Sequence, residues 1–135
     1  MLAGSILVVE DDTVIRELIA LQVRRWGYTL QGVSASGEEA IEAARSGKPD
    51  LVLMDIHLKG KLDGIEAAAH MKEEHPIRIV FVTGYSDPDT IRRANEVQPE
   101  GYVIKPFSGT ILKSAIDSAM QGDASPAPQA SFQDS

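Results

Sequence analysis

The sequence lacks several residue types and patterns, and each absence excludes a class of protein. It contains no cysteine, which excludes disulfide bonds, thiolate catalysis and cysteine-based zinc sites. Its three histidines, His57, His70 and His75, do not have the spacing of a helical zinc motif. No apolar run approaches the length of a membrane span, and the first residues lack the basic segment of a signal peptide. These absences predict a cytoplasmic protein without membrane contact.

Clusters of basic residues are absent too. The chain of 135 residues has 13 lysines and arginines against 20 acidic residues, for a formal net charge of -7. Direct binding of nucleic acid is therefore not expected. A hydrophobic content of 43% is ordinary for a globular protein, and the length fits one domain with one core.

What the chain does contain is a series of short, continuous apolar runs. The central run, Leu51–Met54, passes directly into Asp55. Runs without alternation are typical of strands buried on both faces of a parallel sheet. A loosely alternating run at residues 28–33 predicts an edge strand. The other predicted strands are residues 6–9, 79–82 and 101–104.

Helical periodicity separates these strands. The first helix has apolar residues at helical spacing, namely Val14, Ile15, Leu18, Ile19 and Val23, and the last helix has Ile111, Leu112, Ala115, Ile116, Ala119 and Met120. Ser36 and Glu39 fit a capping box at the start of the second helix, and Asp63 and Asp87 fit N-caps. The predicted helices span about residues 13–25, 37–46, 63–75, 87–96 and 108–121.

Five strand–helix units in alternation predict an α/β fold in a single doubly wound domain, with helices on both faces of a parallel five-stranded sheet. Right-handed crossovers place the carboxyl ends of all strands on one edge, and the flavodoxin-like strand order 2-1-3-4-5 is expected. Residues 122–135 are rich in Ala, Ser, Pro and Gln, which predicts a disordered tail after a domain of residues 1–121.

The carboxyl edge of this sheet collects Glu10, Asp11, Asp55, Thr83 and Lys105. Carboxylates crowded in one crevice repel each other, and Mg²⁺, which prefers carboxylate oxygens and retains waters or phosphate, would relieve the repulsion. The Lys105 ammonium and the Thr83 hydroxyl suit phosphoryl oxygens. Asp55 ends the central strand and is the candidate nucleophile. Each residue alone could be a cap or a solvated loop residue, but matching chemistry at four strand ends favours phosphoryl transfer.

Four motifs carry a resemblance to a known family over about residues 4–121. They are Leu-Val-Val-Glu-Asp-Asp ending the first strand, Leu-Met-Asp ending the third, Val-Thr-Gly ending the fourth, and Lys-Pro-Phe after the fifth. With them the chain resembles the receiver domain of response regulators in bacterial two-component signalling, the CheY-like superfamily.

The resemblance implies a switch that is activated by phosphorylation. Asp55 would be the phosphoacceptor. Mg²⁺ would be held by Asp11, Asp55 and the backbone carbonyl of His57, with Glu10 acting through water. Asp12 falls one place beyond the acidic pair and would cap the first helix.

The resemblance also assigns roles on the later strands. Thr83 and Lys105 would contact the phosphoryl group, Thr83 and Tyr102 would be switch residues, and the bond from Lys105 to Pro106 is often cis in the family. The implied phosphodonor is a sensor histidine kinase or a histidine-containing phosphotransfer protein. The fourth helix, fifth strand and fifth helix would regulate a downstream protein effector, or pair two copies as a homodimer. Enzyme activity would be limited to autocatalysed phosphorylation and dephosphorylation.

Two departures from the family pattern matter. The loop of residues 56–64 lacks the usual proline, is one residue longer, and resembles the variant Leu-Lys-Gly-x-x-Asp-Gly of some stand-alone and hybrid receivers. No effector domain follows Gly122, so a single-domain regulator and a receiver cut from a longer protein both remain open. The side chains that flank the acceptor and affect dephosphorylation would be His57 and Tyr85.

Three other classes fit the residues less well. A haloacid-dehalogenase-type enzyme needs Asp-x-Asp-x-Thr on the first strand, where this chain has Glu10-Asp11-Asp12-Thr13. A flavin carrier needs a loop rich in Ser, Thr and Gly at the same place, where acids stand instead. A binding module that has lost phosphorylation is disfavoured because no site residue is missing. Phosphate incorporation from acetyl phosphate with Mg²⁺ separates these classes.

Overall fold

The computed structural model describes residues 4–122, in which strands and helices alternate. The elements are β1 Ser5–Val9, α1 Thr13–Arg25, β2 Thr29–Ser34, α2 Gly37–Gly47, β3 Leu51–Met54, α3 Gly64–Glu74, β4 Arg78–Thr83, α4 Pro88–Glu96, β5 Gly101–Ile104 and α5 Gly109–Met120. Among them, no helix combines the length and hydropathy that a membrane crossing needs. The predicted disordered tail lies, from residue 123 on, outside the described residues.

The sheet is parallel and has the order β2-β1-β3-β4-β5, which confirms the predicted topology. β2 is the edge strand, as predicted, although it is shifted by one residue along the chain. Val9 pairs with Met54, and Met54 pairs with Phe81. The last residues of β1 and β3 therefore lie side by side, and the residues that follow them meet at one edge.

Successive residues of each central strand pack on opposite faces of the sheet, in two different hydrophobic cores. In β1, Ile6 and Val8 pack with residues of α1 and α5, whereas Leu7 and Val9 pack with residues of α2, α3 and α4. All four are buried. This arrangement explains the continuous apolar runs, because a strand covered by helices on both faces has no solvent-facing side.

The helical stripes were predicted partly wrongly. Val14 and Leu18 of α1 are 76% and 48% exposed, and Ile111 of α5 is 56% exposed, although the spacing placed all three in the core. Ile19 and Val23 are buried as predicted. A helix that lies on a sheet buries one stripe, and both helices carry more apolar residues than that stripe can hold. Spacing alone did not reveal which of them face the sheet.

The capping box predicted at Ser36 is also wrong in part. Ser36 is the N-cap of α2, and its hydroxyl accepts from the backbone N–H of Glu39 at 3.2 Å. The Glu39 carboxylate, however, accepts from the N–H of Ala35 at 3.1 Å instead of that of the cap residue. A complete capping box stands at α3, where Asp63 and Glu66 satisfy each other's backbone N–H groups.

Candidate functional site

Three acidic side chains meet at the carboxyl edge of the sheet. Glu10 and Asp11 follow β1, Asp55 follows β3, and the Asp55 N–H donates to the carbonyl of Val9 at 3.0 Å. One carboxylate oxygen from each acid lies within 4.8 Å of the other two. Glu10 and Asp55 are 2% and 6% exposed. The structure thus brings together the three acids that the sequence predicted as a metal site.

The donor set fits a hard divalent cation. Both oxygens of Glu10 are engaged, since Oε2 accepts from the Asp12 N–H at 3.0 Å and Oε1 contacts Lys105. Among the described residues, no hydrogen-bond donor contacts the Asp11 carboxylate or Oδ1 of Asp55. Exposed lone pairs on two converging carboxylates suit Mg²⁺, which binds oxygen ligands and retains waters.

The Lys105 ammonium lies between two of these acids. Its Nζ is 2.6 Å from Oε1 of Glu10 and 3.0 Å from Oδ2 of Asp55. Burial lowers the pKa of Lys105, but the hydrogen bonds to Glu10 and Asp55 outweigh burial and the pKa is raised. Lys105 is therefore a fixed cation within reach of any group on Asp55.

Burial acts in the opposite sense on Glu10. It raises the pKa of the Glu10 carboxyl, and the hydrogen bonds from Lys105 and from the Asp12 N–H lower it only in part. The negative charge of Asp55 raises this pKa further. Burial is the main cause of the raised pKa, and the formal charges of three acids beside Lys105 leave the cluster net negative. The charge balance supports the interpretation that the cluster accommodates an additional positive charge.

Thr83 and Tyr102 lie on β4 and β5, which are adjacent strands of the sheet. Thr83 ends β4, is fully buried, and its hydroxyl lies 3.4 Å from the N–H of Tyr85. The Lys105 N–H donates to the Thr83 carbonyl at 2.8 Å. The Tyr102 hydroxyl donates to the carbonyl of Tyr85 at 2.6 Å. Burial, and next the charges of Asp87 and Asp55, raise the pKa of Tyr102 to about 12.

Other predicted features are present. The side chain of Asp12 accepts from the N–H of Ile15 at 3.0 Å and caps α1. The bond from Lys105 to Pro106 is cis. His57 is exposed on the loop after Asp55.

Sequence reasoning missed two residues near the site. Arg16, which periodicity placed on the outside of α1, is half-buried and donates from Nη1 to the carbonyl of Glu10 at 2.9 Å. Glu38 of α2 accepts from backbone N–H groups of the loop after β3. Arg16 lies near the start of α1, the helix that follows the acids. This position is only a weak indication in the sequence that its side chain reaches the site. No local signal identifies Glu38, because its partners are 23 and 24 residues away.

Curated relatives are similar to this chain over most of its length. The chain is 37% identical over 115 residues to the transcriptional regulatory protein PdtaR of Mycobacterium tuberculosis, and the match covers 85% of this chain and 56% of that protein. It is 30% identical over 129 residues to the transcriptional regulatory protein AfsQ1 of Streptomyces coelicolor, covering 95% and 56%. The chain thus spans about half the length of these relatives.

Solved structures and a family model agree with this similarity. The signal receiver domain of a modulated diguanylate cyclase from Desulfovibrio desulfuricans superposes with a TM-score of 0.84 at 36% identity, covering 90% of this chain and 96% of that one. A CheY-like receiver domain protein from Methanospirillum hungatei, at 23% identity and a TM-score of 0.83, shares the fold over 91% and 97%. The model of the response regulator receiver domain matches residues 6–117. The chain therefore belongs to the family of response regulator receiver domains of two-component signalling.

Proposed function

We propose that this receiver domain is a switch that accepts a phosphoryl group on Asp55 from a sensor histidine kinase or a histidine-containing phosphotransfer protein. One observation carries the proposal: the Lys105 ammonium is 3.0 Å from a nearly buried Asp55 carboxylate, beside two further acids. A cation at this distance neutralises the carboxylate before transfer and contacts phosphoryl oxygens after it. We assign residues 1–121 to the domain and its action to the cytoplasm.

The reaction is a displacement at phosphorus. A carboxylate oxygen of Asp55 forms the new bond to phosphorus, while the bond from phosphorus to the donor's histidine nitrogen breaks. The leaving nitrogen keeps the electron pair of that bond, and the ring leaves as a neutral imidazole because its other nitrogen carries a proton in the phosphorylated donor. When bound by Asp11, Asp55 and the carbonyl of His57, with Glu10 acting through water, Mg²⁺ supplies positive charge that offsets the phosphoryl oxygens.

The output follows from contacts of the Thr83 and Tyr102 hydroxyls. A phosphoryl group on Asp55 draws the hydroxyl of Thr83 toward it, because that hydroxyl has only a 3.4 Å contact with the Tyr85 N–H. Movement of the segment from Thr83 to Tyr85 changes the position of the Tyr85 carbonyl, which accepts the hydrogen bond from the Tyr102 hydroxyl. The exposed surface of α4, β5 and α5 then regulates a protein effector or pairs two copies of the domain.

We infer no enzyme activity beyond the domain's own phosphorylation and dephosphorylation, and no direct nucleic-acid contact. The name of PdtaR describes a transcriptional regulator about twice as long as the matched region. The acidic balance of this chain, with a formal net charge of -7, favours protein partners over nucleic acid.

Acetyl phosphate with Mg²⁺ tests the proposal, because it supplies a phosphoryl group without a kinase. Wild-type protein should gain one phosphoryl group that is labile in both acid and base, as an acyl phosphate is, and Asp55→Asn should gain none. Asp50→Asn is the matched control, since Asp50 lies before β3 at the opposite end of the same strand. Equal incorporation into Asp55→Asn and wild type would refute the assignment.

A further inference from the structure

The loop between β3 and α3 is held from α2, a helix that supplies none of the predicted site residues. Glu38 lies in the first turn of α2. Its Oε2 accepts from the N–H of Lys61 at 2.9 Å and from the N–H of Leu62 at 3.2 Å. Within residues 4–122, no backbone carbonyl accepts from either N–H. One carboxylate thus satisfies two consecutive amides of this loop.

Two further contacts place the same loop against α2. Ser36, the N-cap of α2, pairs with Lys59 in an isolated parallel bridge. Gly60 has φ +100°, and a Cβ there would come within 2.6 Å of Oε1 of Glu38. A side chain at Gly60 would therefore both strain the backbone and displace the carboxylate. Glycine at this position allows the close approach.

The other end of the loop is fixed at Asp55. The Gly64 N–H donates to the carbonyl of Ile56 at 2.7 Å, and a Cβ on Gly64 would lie 2.0 Å from the Asp55 carbonyl oxygen. Leu58 is buried in the core shared with α2 and α3. His57 lies between these fixed points, and its own side chain is exposed. The His57 carbonyl thus lies in a loop that is held at Ile56 and Leu58 and, further along, at Lys61 and Leu62.

We propose that Glu38 is a positioning residue for the phosphorylation site: it fixes the β3–α3 loop, and with it the His57 carbonyl, from α2. The inference rests on the proposed function, in which that carbonyl binds Mg²⁺. The hydrogen bonds also lower the pKa of Glu38, first through the N–H of Glu38 itself and next through that of Lys61. The carboxylate lies at a helix N-terminus, where negative charge is favourable. The lengthened loop thus has its own anchor on a neighbouring helix.

The variants Glu38→Ala and Glu38→Gln test this role, with Glu42→Ala as the control. Glu42 lies on the same helix, is 69% exposed in its side chain, and has Arg45 as its one hydrogen-bonded side-chain partner among the described residues. Two quantities are measured: hydrogen exchange of the Lys61 and Leu62 amides, and the Kd for Mg²⁺ from the amide shifts of His57 and Leu58. Exchange reports the contact, and Kd reports its effect on the site.

Glu38→Ala should expose both amides to faster exchange and weaken Mg²⁺ binding by about three- to tenfold, at or below the usual effect of removing a group that orients a metal ligand. Glu38→Gln keeps one acceptor oxygen and should give intermediate values. Glu42→Ala should match wild type in both. If Glu38→Ala does not fold, Glu38→Leu takes its place, since it keeps a side chain of similar size but has no acceptor. Wild-type exchange and a wild-type Kd in that variant overturn the proposal.

Failure of the proposal differs from failure of the proposed function. A wild-type protein that binds Mg²⁺ and takes phosphate from acetyl phosphate, with a Kd unchanged by Glu38→Ala, refutes the role of Glu38 alone. A wild-type protein that binds no Mg²⁺ refutes both. Unprotected Lys61 and Leu62 amides in wild type would show that Glu38 does not hold the loop.

Discussion

The imidazole ring of His57 lies against the phenol ring of Tyr85, with the ring centroids 5.4 Å apart and the planes inclined by 16°. The two residues stand two positions beyond Asp55 and Thr83, on the loops that flank the acceptor. The Tyr85 carbonyl also accepts from the hydroxyl of Tyr102 at 2.6 Å. Tyr85 thus connects the loop after Asp55 with the fifth strand.

Removing this stacked ring should change how long the phosphoryl group persists. Tyr85→Ala removes the ring that stacks on His57, two positions beyond the acceptor. Water should then approach the acceptor more readily, and dephosphorylation should become severalfold faster. Tyr85→Phe keeps the ring and should retain the wild-type rate. The measurement is loss of the phosphoryl group after removal of acetyl phosphate. Equal rates for Tyr85→Ala and wild type would show that the ring pair does not limit access of water.

Mg²⁺ should stabilise the unmodified domain, because it relieves repulsion among Glu10, Asp11 and Asp55. At a free Mg²⁺ concentration of ten times Kd the gain is about 1.4 kcal/mol, which corresponds to roughly 4–8 °C in Tm for a domain of this size. Thermal melts with and without Mg²⁺ measure it. Asp11→Ala removes a carboxylate without a hydrogen-bond partner among the described residues and should lose most of the shift. An equal shift in that variant would place the ion elsewhere.

Alkaline pH should destabilise the domain through Tyr102. Its pKa rises from 10.0 to about 12 on folding, chiefly because burial disfavours the phenolate. The folded state therefore holds this proton more tightly than the unfolded state, so the stabilisation is present below pH 10 and is lost as pH rises toward about 12. In the variant Tyr102→Phe this position cannot ionise, so the free energy of unfolding should fall less steeply between pH 10 and about 12. Chemical denaturation at a series of pH values measures it. An identical pH dependence would contradict the raised pKa.

Phosphorylation should reach the surface of α4 and β5. Beryllofluoride with Mg²⁺ mimics the phosphoryl group, and we expect amide shift changes at residues 87–98 and at Tyr102 as well as around Asp11 and Asp55. The fourth helix has two buried residues, Ile91 and Ala94, so it can be repositioned at low cost. Changes confined to the loops around Asp11 and Asp55 would defeat the proposed output.

The exposed stripe of α1 predicts losses of stability that differ in size at two adjacent positions. Ile19 is 2% exposed and Leu18 is 48% exposed. Ile19→Ala should cost about 2–5 kcal/mol in the free energy of unfolding, whereas Leu18→Ala should cost less than about 1 kcal/mol. Urea denaturation of both variants measures the difference. Similar costs would mean that Leu18 packs against the sheet, as its spacing alone suggested.

The sequence by itself determined the strands, their order and the residues at their carboxyl ends. Continuous apolar runs such as Leu51–Met54 identify strands buried on both faces, and a parallel sheet places all carboxyl ends on one edge. Asp55 and Lys105 are 50 residues apart in the chain, yet their meeting follows from topology alone. The acidic cluster was predictable for the same reason.

Only the tertiary structure decided which apolar residues are buried and how the loops are held. Val14 and Leu18 have the spacing of a core stripe, but α1 meets the sheet along a different line, and helical periodicity does not specify that rotation. Glu38 and Lys61 are 23 residues apart, and Tyr85 and Tyr102 are 17 apart. Both contacts join a side chain to a backbone group, which every residue type presents alike. Such contacts leave no pattern in the sequence, because packing of the folded chain selects the partner.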